Sequence, residues 1–380
     1  MVCRDGRDGL CGGLRVRIAV LKEIQPAERR VAQTPETAAR LVKAGVGVVV
    51  ERGCGVSAGF DDAEWIAAGA TIAATAEEAV SGAAVVLAVQ PPEEALLSRL
   101  ARGTLLISFL PSALREAVAA KGIDALAMEK VPRTTRGQAV DALSSQATVA
   151  GYQSVLLGAG RLPRLLPMMT TAAGTLKPGR VLVLGAGVAG LQAIATAHRL
   201  GAQVHAFDVR AAVKEQVQSL GAKFVDIEGV QSAEGAGGYA KEVGQDEQAR
   251  ILATLGKAVP LADLVISTAQ IPNRPAPRLI TAEMVKAMRR GSVIVDLAAE
   301  TGGNCELTKP GEEVVTENGV LVLGPKNLAA TMPLHASMMF GKNVLTLLLL
   351  CLKDGAVSLD LKDELVAAML VTHAGAVRHP

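Results

Sequence analysis

The sequence contains very few aromatic residues: five Phe, two Tyr and one Trp among 380 residues. Proteins that hold single-stranded nucleic acid stack its bases on aromatic side chains, so this composition argues against that function. An excess of one charge is also missing, because 39 Lys and Arg are balanced by 37 Asp and Glu, which leaves a net charge of +2. No strong field therefore favours nucleic acid or an anionic membrane surface as a partner.

Cysteine is scarce, and its five copies are scattered along the chain without a Cys-x-x-Cys pair. An odd number of isolated cysteines argues against a disulfide framework or a zinc knuckle and favours a reducing, cytoplasmic location. The five histidines show no metal-ligand spacing either. No metal site is therefore predicted.

Long apolar runs are absent, although 50% of the residues are hydrophobic. A membrane-spanning helix needs about 20 mainly apolar residues, whereas the most apolar run, 344–352, is only nine residues long. No membrane span is predicted. Residues 1–15 lack the apolar segment of a signal peptide and are predicted to form a flexible tail.

Short apolar segments alternate with helical patterns in two successive series from Val16 onward. The predicted strands lie at 17–20, 46–50, 84–89, 104–110 and 123–128 in the first series, and at 180–185, 202–208, 222–227, 263–269, 292–298 and 320–324 in the second. Such alternation predicts an α/β protein with two Rossmann-like, doubly wound parallel sheets. Further helical patterns lie at about 137–160 and 338–352.

Two domains follow from this pattern. The first is predicted over 16–143 plus 327–380, discontinuous in sequence and completed by C-terminal helices. The second, 144–326, is predicted to be the Rossmann dinucleotide-binding domain. The cleft between two such domains is the expected ligand site.

A dinucleotide motif opens the second domain, where Gly185, Gly187 and Gly190 fit the pattern Gly-x-Gly-x-x-Gly between a strand and a helix. In such motifs the first Gly makes a tight turn, the second admits the pyrophosphate and the third allows close helix–strand packing. Asp208 ends the next strand, where a carboxylate accepts hydrogen bonds from the adenosine ribose and repels a 2′-phosphate. NAD(H) is therefore predicted rather than NADP(H), with Arg210 as a counter-indication. A glycine-rich turn that binds no nucleotide is the alternative.

The segment 133–145 combines an Arg, an amide, carboxylate and hydroxyl groups. If 137–150 is one helix, Gln138, Asp141 and Ser144 share a face. These groups either orient the carboxamide of a nicotinamide or form a solvated helix face with a local Asp–Arg pair. The pattern by itself favours the second interpretation.

Two other segments have open interpretations. The glycine-rich stretch 235–242 carries Tyr239 and is either a closing lid or a plain surface loop. Charged residues at 22–23 and 29–30 follow the first strand, where they either bind an anionic ligand or form salt bridges.

The loop 296–304 follows a late strand and is expected to reach the nicotinamide end of the crevice. It contains Gly302 and Asn304, which we predict to contact the cofactor. Glu300 in the same loop is either an acid–base group or simply solvated.

The chain resembles the NAD(H)-binding component, domain I, of proton-translocating nicotinamide nucleotide transhydrogenase. The resemblance extends over nearly the whole chain from Val16, and its most specific segments are 132–152, 167–175, 183–202, 208–224, 236–242 and 296–305. It implies a homodimer that binds NAD(H) and transfers hydride from NADH to NADP⁺ bound on a partner subunit. It also implies two partners in one complex: an NADP(H)-binding subunit and a membrane-domain subunit that translocates protons. The implied location is peripheral, on the cytoplasmic face of the inner membrane.

The resemblance also implies roles for individual residues. The residues around the nicotinamide would be Arg133, Gln138, Asp141 and Ser144. Gln138 would reach towards the partner's nucleotide. Val188 and Asp208 look like contacts on the adenosine side, and Tyr239 looks like the residue of a mobile loop.

Alanine dehydrogenases are related to this family and must be separated by site residues. They carry a Lys after the third strand and a His after the fourth, which bind pyruvate, and an Asp in the late loop. The corresponding positions here are Gln90, then Phe109 or Leu110, and Glu300, whereas Arg30 is kept. These departures favour a transhydrogenase component. An alanine dehydrogenase-like enzyme and a non-catalytic NAD sensor are the alternatives.

Overall fold

The computed structural model describes residues 16–227, 244–271 and 274–378. The predicted tail, 1–15, lies outside the described residues. The chain forms two compact units: the first runs to Ser145 and resumes at Pro333, and the second spans Gln146–Met332. Each unit has a mostly parallel sheet covered by helices, which confirms the predicted fold class.

Nineteen strands occur within the described ranges. They are β1 (Arg17–Val20), β2 (Gly47–Glu51), β3 (Thr71–Ala73), β4 (Val85–Leu87), β5 (Leu105–Ser108), β6 (Asp124–Ala127), β7 (Met169–Thr171), β8 (Gly174–Leu176), β9 (Arg180–Leu184), β10 (Gln203–Phe207), β11 (Lys223–Phe224), β12 (Leu264–Ser267), β13 (Val293–Asp296), β14 (Glu313–Val315), β15 (Leu321–Leu323), β16 (Leu352–Lys353), β17 (Ala356–Val357), β18 (Leu370–His373) and β19 (Ala376–Val377).

Twelve α-helices occur in the same ranges. They are α1 (Pro35–Lys43), α2 (Asp62–Ala67), α3 (Ala76–Val80), α4 (Glu94–Leu97), α5 (Ser112–Ala120), α6 (Ala142–Ala159), α7 (Val188–Arg199), α8 (Lys214–Ser219), α9 (Gln245–Ala258), α10 (Ala282–Lys286), α11 (Pro333–Leu350) and α12 (Glu364–Met369). No helix in the described ranges combines the length and the apolar character needed to cross a membrane.

The sheet of the first unit has the strand order β19-β18-β6-β5-β4-β1-β2-β3. Strands β1 to β6 are parallel and follow the doubly wound order 3-2-1-4-5-6. The C-terminal strands β18 and β19 add an antiparallel edge. The C-terminal segment therefore completes this unit with two strands as well as the helices that the sequence predicted.

The second unit repeats this arrangement with the order β11-β10-β9-β12-β13-β15-β14, in which only β14 is antiparallel. In both sheets the direction of the strand order reverses at one place. It lies between β1 and β4 in the first sheet and between β9 and β12 in the second. Ligands of such sheets bind outside the carboxyl ends of the strands at this switch point.

Burial on both faces explains why the strands are continuous apolar runs. In β5, Leu105 and Ile107 enter one core cluster of the first unit, whereas Leu106 enters the cluster on the opposite face. Val183 and Leu184 of β9 separate in the same way in the second unit. Alternating side chains thus fill a core on each side of each sheet, which leaves the strand ends to carry polar groups.

Candidate functional site

The glycine loop after β9 has the geometry that its three glycines require. Gly185 has a φ of +92°, which L side chains rarely adopt, and a Cβ there would lie 2.7 Å from Thr268 Oγ1. A Cβ on Gly190 would overlap the carbonyl oxygen of Gly185. A Cβ on Gly187 would meet no atom within 4 Å, so the backbone there faces open space. The loop is closely packed at its two ends and accessible at its centre.

The open centre of this loop leads into the N-terminus of α7. Gly187 is the N-cap, and Val188, at the first helical position, is exposed. The first N–H groups of a helix have no partner within the helix and carry the positive end of its dipole. Such a terminus binds phosphate when the backbone is accessible, and the absent Cβ at Gly187 leaves it accessible. The residues therefore fit a dinucleotide pyrophosphate.

Asp208 is joined directly to the glycine loop. Its carboxylate is buried and accepts hydrogen bonds from the backbone N–H of Ala186 at 2.7 Å and from that of Arg210 at 2.9 Å. The Arg210 guanidinium forms two more hydrogen bonds to the carboxylate, both of 2.8 Å. Arg210 argued against NAD(H), because an Arg near this position can bind a 2′-phosphate. In the structure its guanidinium is paired with Asp208, the carboxylate that predicts NAD(H).

The loop 296–304 is fixed by buried polar groups. The Asp296 carboxylate accepts hydrogen bonds from the backbone of Ala298 and Cys305 at 3.0 Å each, and from the Thr308 hydroxyl at 2.7 Å. Gly302, a predicted cofactor contact, is exposed with a φ of +104°.

Asn304, the other predicted contact in this loop, is fully buried. Its Oδ1 accepts a hydrogen bond from Ser267, and its Nδ2 donates to the carbonyls of Ala269 and Pro277, at 2.7, 2.9 and 2.8 Å. These contacts tie the loop to the carboxyl end of β12. The side chain of Asn304 therefore supports the loop from within the protein.

Two potential reactive groups, Glu300 and Cys305, lie in this loop and directly after it. Glu300 is exposed and accepts a hydrogen bond from the Asn327 backbone at 3.3 Å. Burial raises the pKa of the Cys305 thiol to about 11, so it stays protonated at neutral pH. In the described part of the chain, no group of three or more His, Cys, Asp or Glu side chains is arranged to hold a metal ion.

The segment 137–150 is not one helix, so the predicted shared face is wrong. Gly137–Val140 forms a 3₁₀ turn, and α6 begins only at Ala142. Asp141 interrupts the helix because its carboxylate caps α6, accepting hydrogen bonds from the backbone and the hydroxyl of Ser144 at 2.8 and 2.5 Å. The structure thus joins Asp141 to Ser144 and places Gln138, which is exposed, on a separate turn.

The turn that carries Gln138 is closely packed at its base. A Cβ on Gly137 would overlap the carbonyl oxygen of Pro132. Arg136 forms an ion pair of 2.7 Å with Asp363 just before α12. Arg133, in the same segment, is exposed. The exposed Arg133 and Gln138 side chains therefore extend from a closely packed backbone segment.

At the switch point of the first sheet, the salt-bridge interpretation of Arg30 is correct. Its guanidinium is 2.6 Å from Glu28, and both residues are buried. Gln90 donates a hydrogen bond of 3.1 Å to the same carboxylate, and the Arg30 guanidinium lies 6.0 Å from the centre of the Phe109 ring. Burial raises the pKa of the neighbouring Glu23 carboxyl from 4.5 to about 8, against backbone hydrogen bonds that lower it.

Two supporting residues were missed by the sequence analysis. The Thr268 hydroxyl donates to the carbonyl of Gly185 at 3.1 Å, which buttresses the glycine loop from the end of β12. Asn343 contacts the segment that carries Gln138. Thr268 lies near the carboxyl end of the predicted strand 263–269, and a polar residue at such a strand end is a signal that could have identified it, whereas no sequence signal marks Asn343. Tyr239 and the stretch 235–242 lie outside the described residues.

Known proteins match the chain along nearly all of its length. Residues 19–150 match the family model described as alanine dehydrogenase/PNT, N-terminal domain, and residues 154–380 match its C-terminal domain counterpart. A protein of Rhodospirillum rubrum, named as the first portion of NAD(P) transhydrogenase subunit alpha, is 48% identical over 378 residues, covering 96% of this chain and 98% of that protein.

Two further relatives place the chain within this family. The crystal structure of transhydrogenase from Sinorhizobium meliloti matches with a TM-score of 0.87 and 42% identity, covering 95% of this chain and 100% of that one. Alanine dehydrogenase of Halomonas elongata is more distant, at 33% identity over 306 residues, which cover 78% of this chain and 76% of that protein. The chain therefore belongs to the alanine dehydrogenase/PNT family, and its similarity to transhydrogenase alpha subunits confirms the resemblance found in the sequence.

Proposed function

We propose that this chain is the NAD(H)-binding subunit of a proton-translocating NAD(P) transhydrogenase. It binds NADH and passes hydride to NADP⁺ held by a partner subunit, with proton translocation in the membrane subunits of the same complex. The observation that carries the proposal is the accessible glycine loop joined to Asp208 at the switch point of the second sheet.

The second unit supplies the adenosine and pyrophosphate side of the proposed site. The α7 N-terminus and the open backbone at Gly187 suit the two phosphates. Val188 and Asp208 take the adenosine, with the ribose hydroxyls replacing the Arg210 guanidinium as donors to the carboxylate. A 2′-phosphate would bring negative charge against Asp208, which supports NAD(H) over NADP(H). Gly302 lies in the loop 296–304, which Asn304 supports from within the protein. We place this loop in contact with the nicotinamide end of the cofactor.

The first unit supplies the polar groups proposed to orient the nicotinamide: Arg133, Gln138, Asp141 and Ser144. Hydride transfer between two nicotinamides breaks a C4–H bond of NADH and forms one at C4 of NADP⁺, so NADH is oxidised, NADP⁺ is reduced and no proton is exchanged at either carbon. No general acid or base is required, and alignment at about 3–3.5 Å with exclusion of water is sufficient. The protonated Cys305 thiol is consistent with this chemistry.

A partner is needed for the second nucleotide. The sequence contains one Gly-x-Gly-x-x-Gly motif, at Gly185, and we assign it to NAD(H). We therefore propose an NADP(H)-binding subunit and a membrane-domain subunit as partners, a homodimer of this chain, and a peripheral position on the cytoplasmic face of the inner membrane. Similarity to proteins named transhydrogenase subunit alpha supports an assembly of several subunits.

Alanine dehydrogenase activity is the principal rival, since 33% identity relates the chain to one such enzyme. The position corresponding to its pyruvate-binding Lys is Gln90, whose amide is engaged with Glu28. Phe109, one of the two residues that could correspond to the His, packs against Phe340 with ring centres 5.4 Å apart. Neither side chain is able to donate a proton to a keto acid.

The deciding experiment mixes the purified chain with an NADP(H)-binding partner subunit and follows NADH oxidation by an NADP⁺ analogue. We expect transfer only when both proteins are present. NADH turnover with pyruvate and ammonia in the absence of the partner would establish the dehydrogenase instead. NADH binding without transfer to the partner's nucleotide would indicate a non-catalytic sensor.

A further inference from the structure

A buried amide lies in α11 of the first unit, on a helix with many apolar residues. Asn343 is in the second half of α11 and is 8% exposed, whereas Phe340, Val344 and Leu347 of the same helix are completely buried. A buried amide is destabilising unless its donor and acceptor are both bonded. Its hydrogen bonds therefore show what Asn343 contributes.

Both ends of this amide bond to the segment that carries the proposed nicotinamide residues. Nδ2 donates to the carbonyl oxygen of Ala139 at 2.9 Å, and Oδ1 accepts from the hydroxyl of Ser145 at 2.8 Å. Ala139 directly follows Gln138, and Ser145 directly follows Ser144. The amide therefore holds the 3₁₀ turn and the first turn of α6 on either side of the Asp141 cap.

An amide suits both contacts. The Ala139 carbonyl only accepts, so a donor must face it, and the Ser145 hydroxyl donates to the amide oxygen. A carboxylate would place a negative oxygen against the carbonyl, and an aliphatic side chain would lose both bonds. The other tether of the segment, Arg136 to Asp363, has side chains 54% and 21% exposed and is a weak constraint by comparison.

We propose that Asn343 is a positioning residue for hydride transfer, acting through Ala139 and Ser145 on Gln138, Asp141 and Ser144. The proposal rests on the proposed function and assigns to α11 the alignment of the nicotinamide-side groups. Because adenosine and pyrophosphate recognition belongs to the second unit, Asn343 controls the transfer rate and leaves the affinity for NADH unchanged.

The test compares four variants at a temperature well below their melting temperatures. Asn343→Leu removes both bonds at similar volume, Asn343→Asp removes the donor, and Ser145→Ala removes only the Oδ1 contact of the two. The matched control is Lys342→Ala, because Lys342 is on the same helix, is half exposed and contacts only Glu36 among the ionic partners described, at 3.7 Å. Each variant is assayed with the NADP(H)-binding partner in a single turnover with NADH and with NADH deuterated at C4.

We expect Asn343→Leu and Asn343→Asp to slow transfer by about tenfold or more, since small misplacements of aligned groups are costly. Ser145→Ala should slow it by about threefold, as expected for one hydrogen bond, and Lys342→Ala should not change it. The Kd for NADH should stay within about twofold of the wild type in all four. The deuterium isotope effect should rise in the slow variants, and amide hydrogen exchange over 138–145 should accelerate.

The possible failures are distinct. If Asn343→Leu folds and transfers hydride at the wild-type rate, the positioning role is wrong and the proposed function stands. If its slower rate comes entirely from weaker NADH binding, Asn343 is a binding or structural residue and the proposal is again overturned. If the Leu variant does not fold, Ser145→Ala decides by the same criteria. A wild-type chain that transfers no hydride to the partner's NADP⁺ overturns the proposed function and this inference with it.

Discussion

The Asp208 carboxylate accepts a hydrogen bond of 2.7 Å from the backbone N–H of Ala186. This contact joins the end of β10 to the glycine loop that follows β9. The proposed ribose acceptor and the proposed phosphate-binding loop are therefore directly connected, and we expect a change in one to affect the other.

Removing the charge of Asp208 should change which nucleotide is bound. In Asp208→Asn, an amide replaces a carboxylate that accepts from Ala186 and Arg210, and the repulsion of a 2′-phosphate is lost. Since hydrogen bonds to charged groups contribute about 1.5–3 kcal/mol, we expect NADH to bind at least about tenfold more weakly. The affinity for NADPH should increase relative to the affinity for NADH. Titration of both nucleotides by fluorescence measures the ratio, and an unchanged preference would remove Asp208 from the ribose site.

Two alanine substitutions in the glycine loop should have different effects, one on stability and the other on NADH binding. Gly190→Ala places a Cβ against the Gly185 carbonyl oxygen and should lower the free energy of unfolding by about 1–3 kcal/mol. Gly187→Ala has space for its Cβ and a φ of −75°, so stability should be unchanged. The added methyl group would nevertheless stand where we place the pyrophosphate, so its affinity for NADH should fall. Denaturation and NADH titration of both variants separate packing from binding, and normal NADH affinity in Gly187→Ala would argue against the phosphate site.

Much of the fold could be predicted from the sequence because buried parallel strands are continuous apolar runs. Strands such as β5 and β9 are identified by that pattern alone. Strands β3, β14 and β19 escaped because they are short and lie at sheet edges, where partial exposure removes the apolar signal. The buried strand β18 escaped because its apolar residues follow directly on those of α12. Their pairing depends on neighbours that are distant in sequence.

The candidate site was predictable where the chemistry is local. The glycines at 185, 187 and 190 and the acidic residue at 208 have fixed spacing, because one strand–turn–helix unit carries the glycines and the next strand carries the Asp. The segment 133–145 was harder, since Asp141 competes with helix propagation by bonding the helix terminus instead. The role of Asn343 depends on contacts with residues about 200 positions away, which no local pattern records.

A change at Gln138 should separate binding from transfer. Its side chain is exposed on the 3₁₀ turn and is proposed to reach towards the partner's nucleotide. Gln138→Asn shortens that reach by one methylene, so we expect near-normal NADH affinity and much slower hydride transfer with the partner present. Equilibrium binding and single-turnover rates test this, and a wild-type transfer rate would exclude Gln138 from the site.

Stability should depend on pH through Glu23. The unfolded chain ionises this carboxyl near pH 4.5, whereas burial keeps it protonated to about pH 8 in the folded chain. Between these values the unfolded state binds fewer protons, so the free energy of unfolding should fall as pH rises. Urea denaturation at several pH values should show a shallower decline for Glu23→Gln than for the wild type. Identical slopes would mean that Glu23 ionises normally in the folded protein.

The central claim is direct hydride transfer from NADH on this chain to NADP⁺ on a partner. The most direct measurement supplies NADH deuterated at the transferred C4 position, together with the NADP(H)-binding partner subunit, and analyses the NADPH by mass spectrometry. We expect NADPH that carries the deuterium, with none released to water. Unlabelled NADPH, or the absence of NADPH in the presence of both proteins, would contradict it.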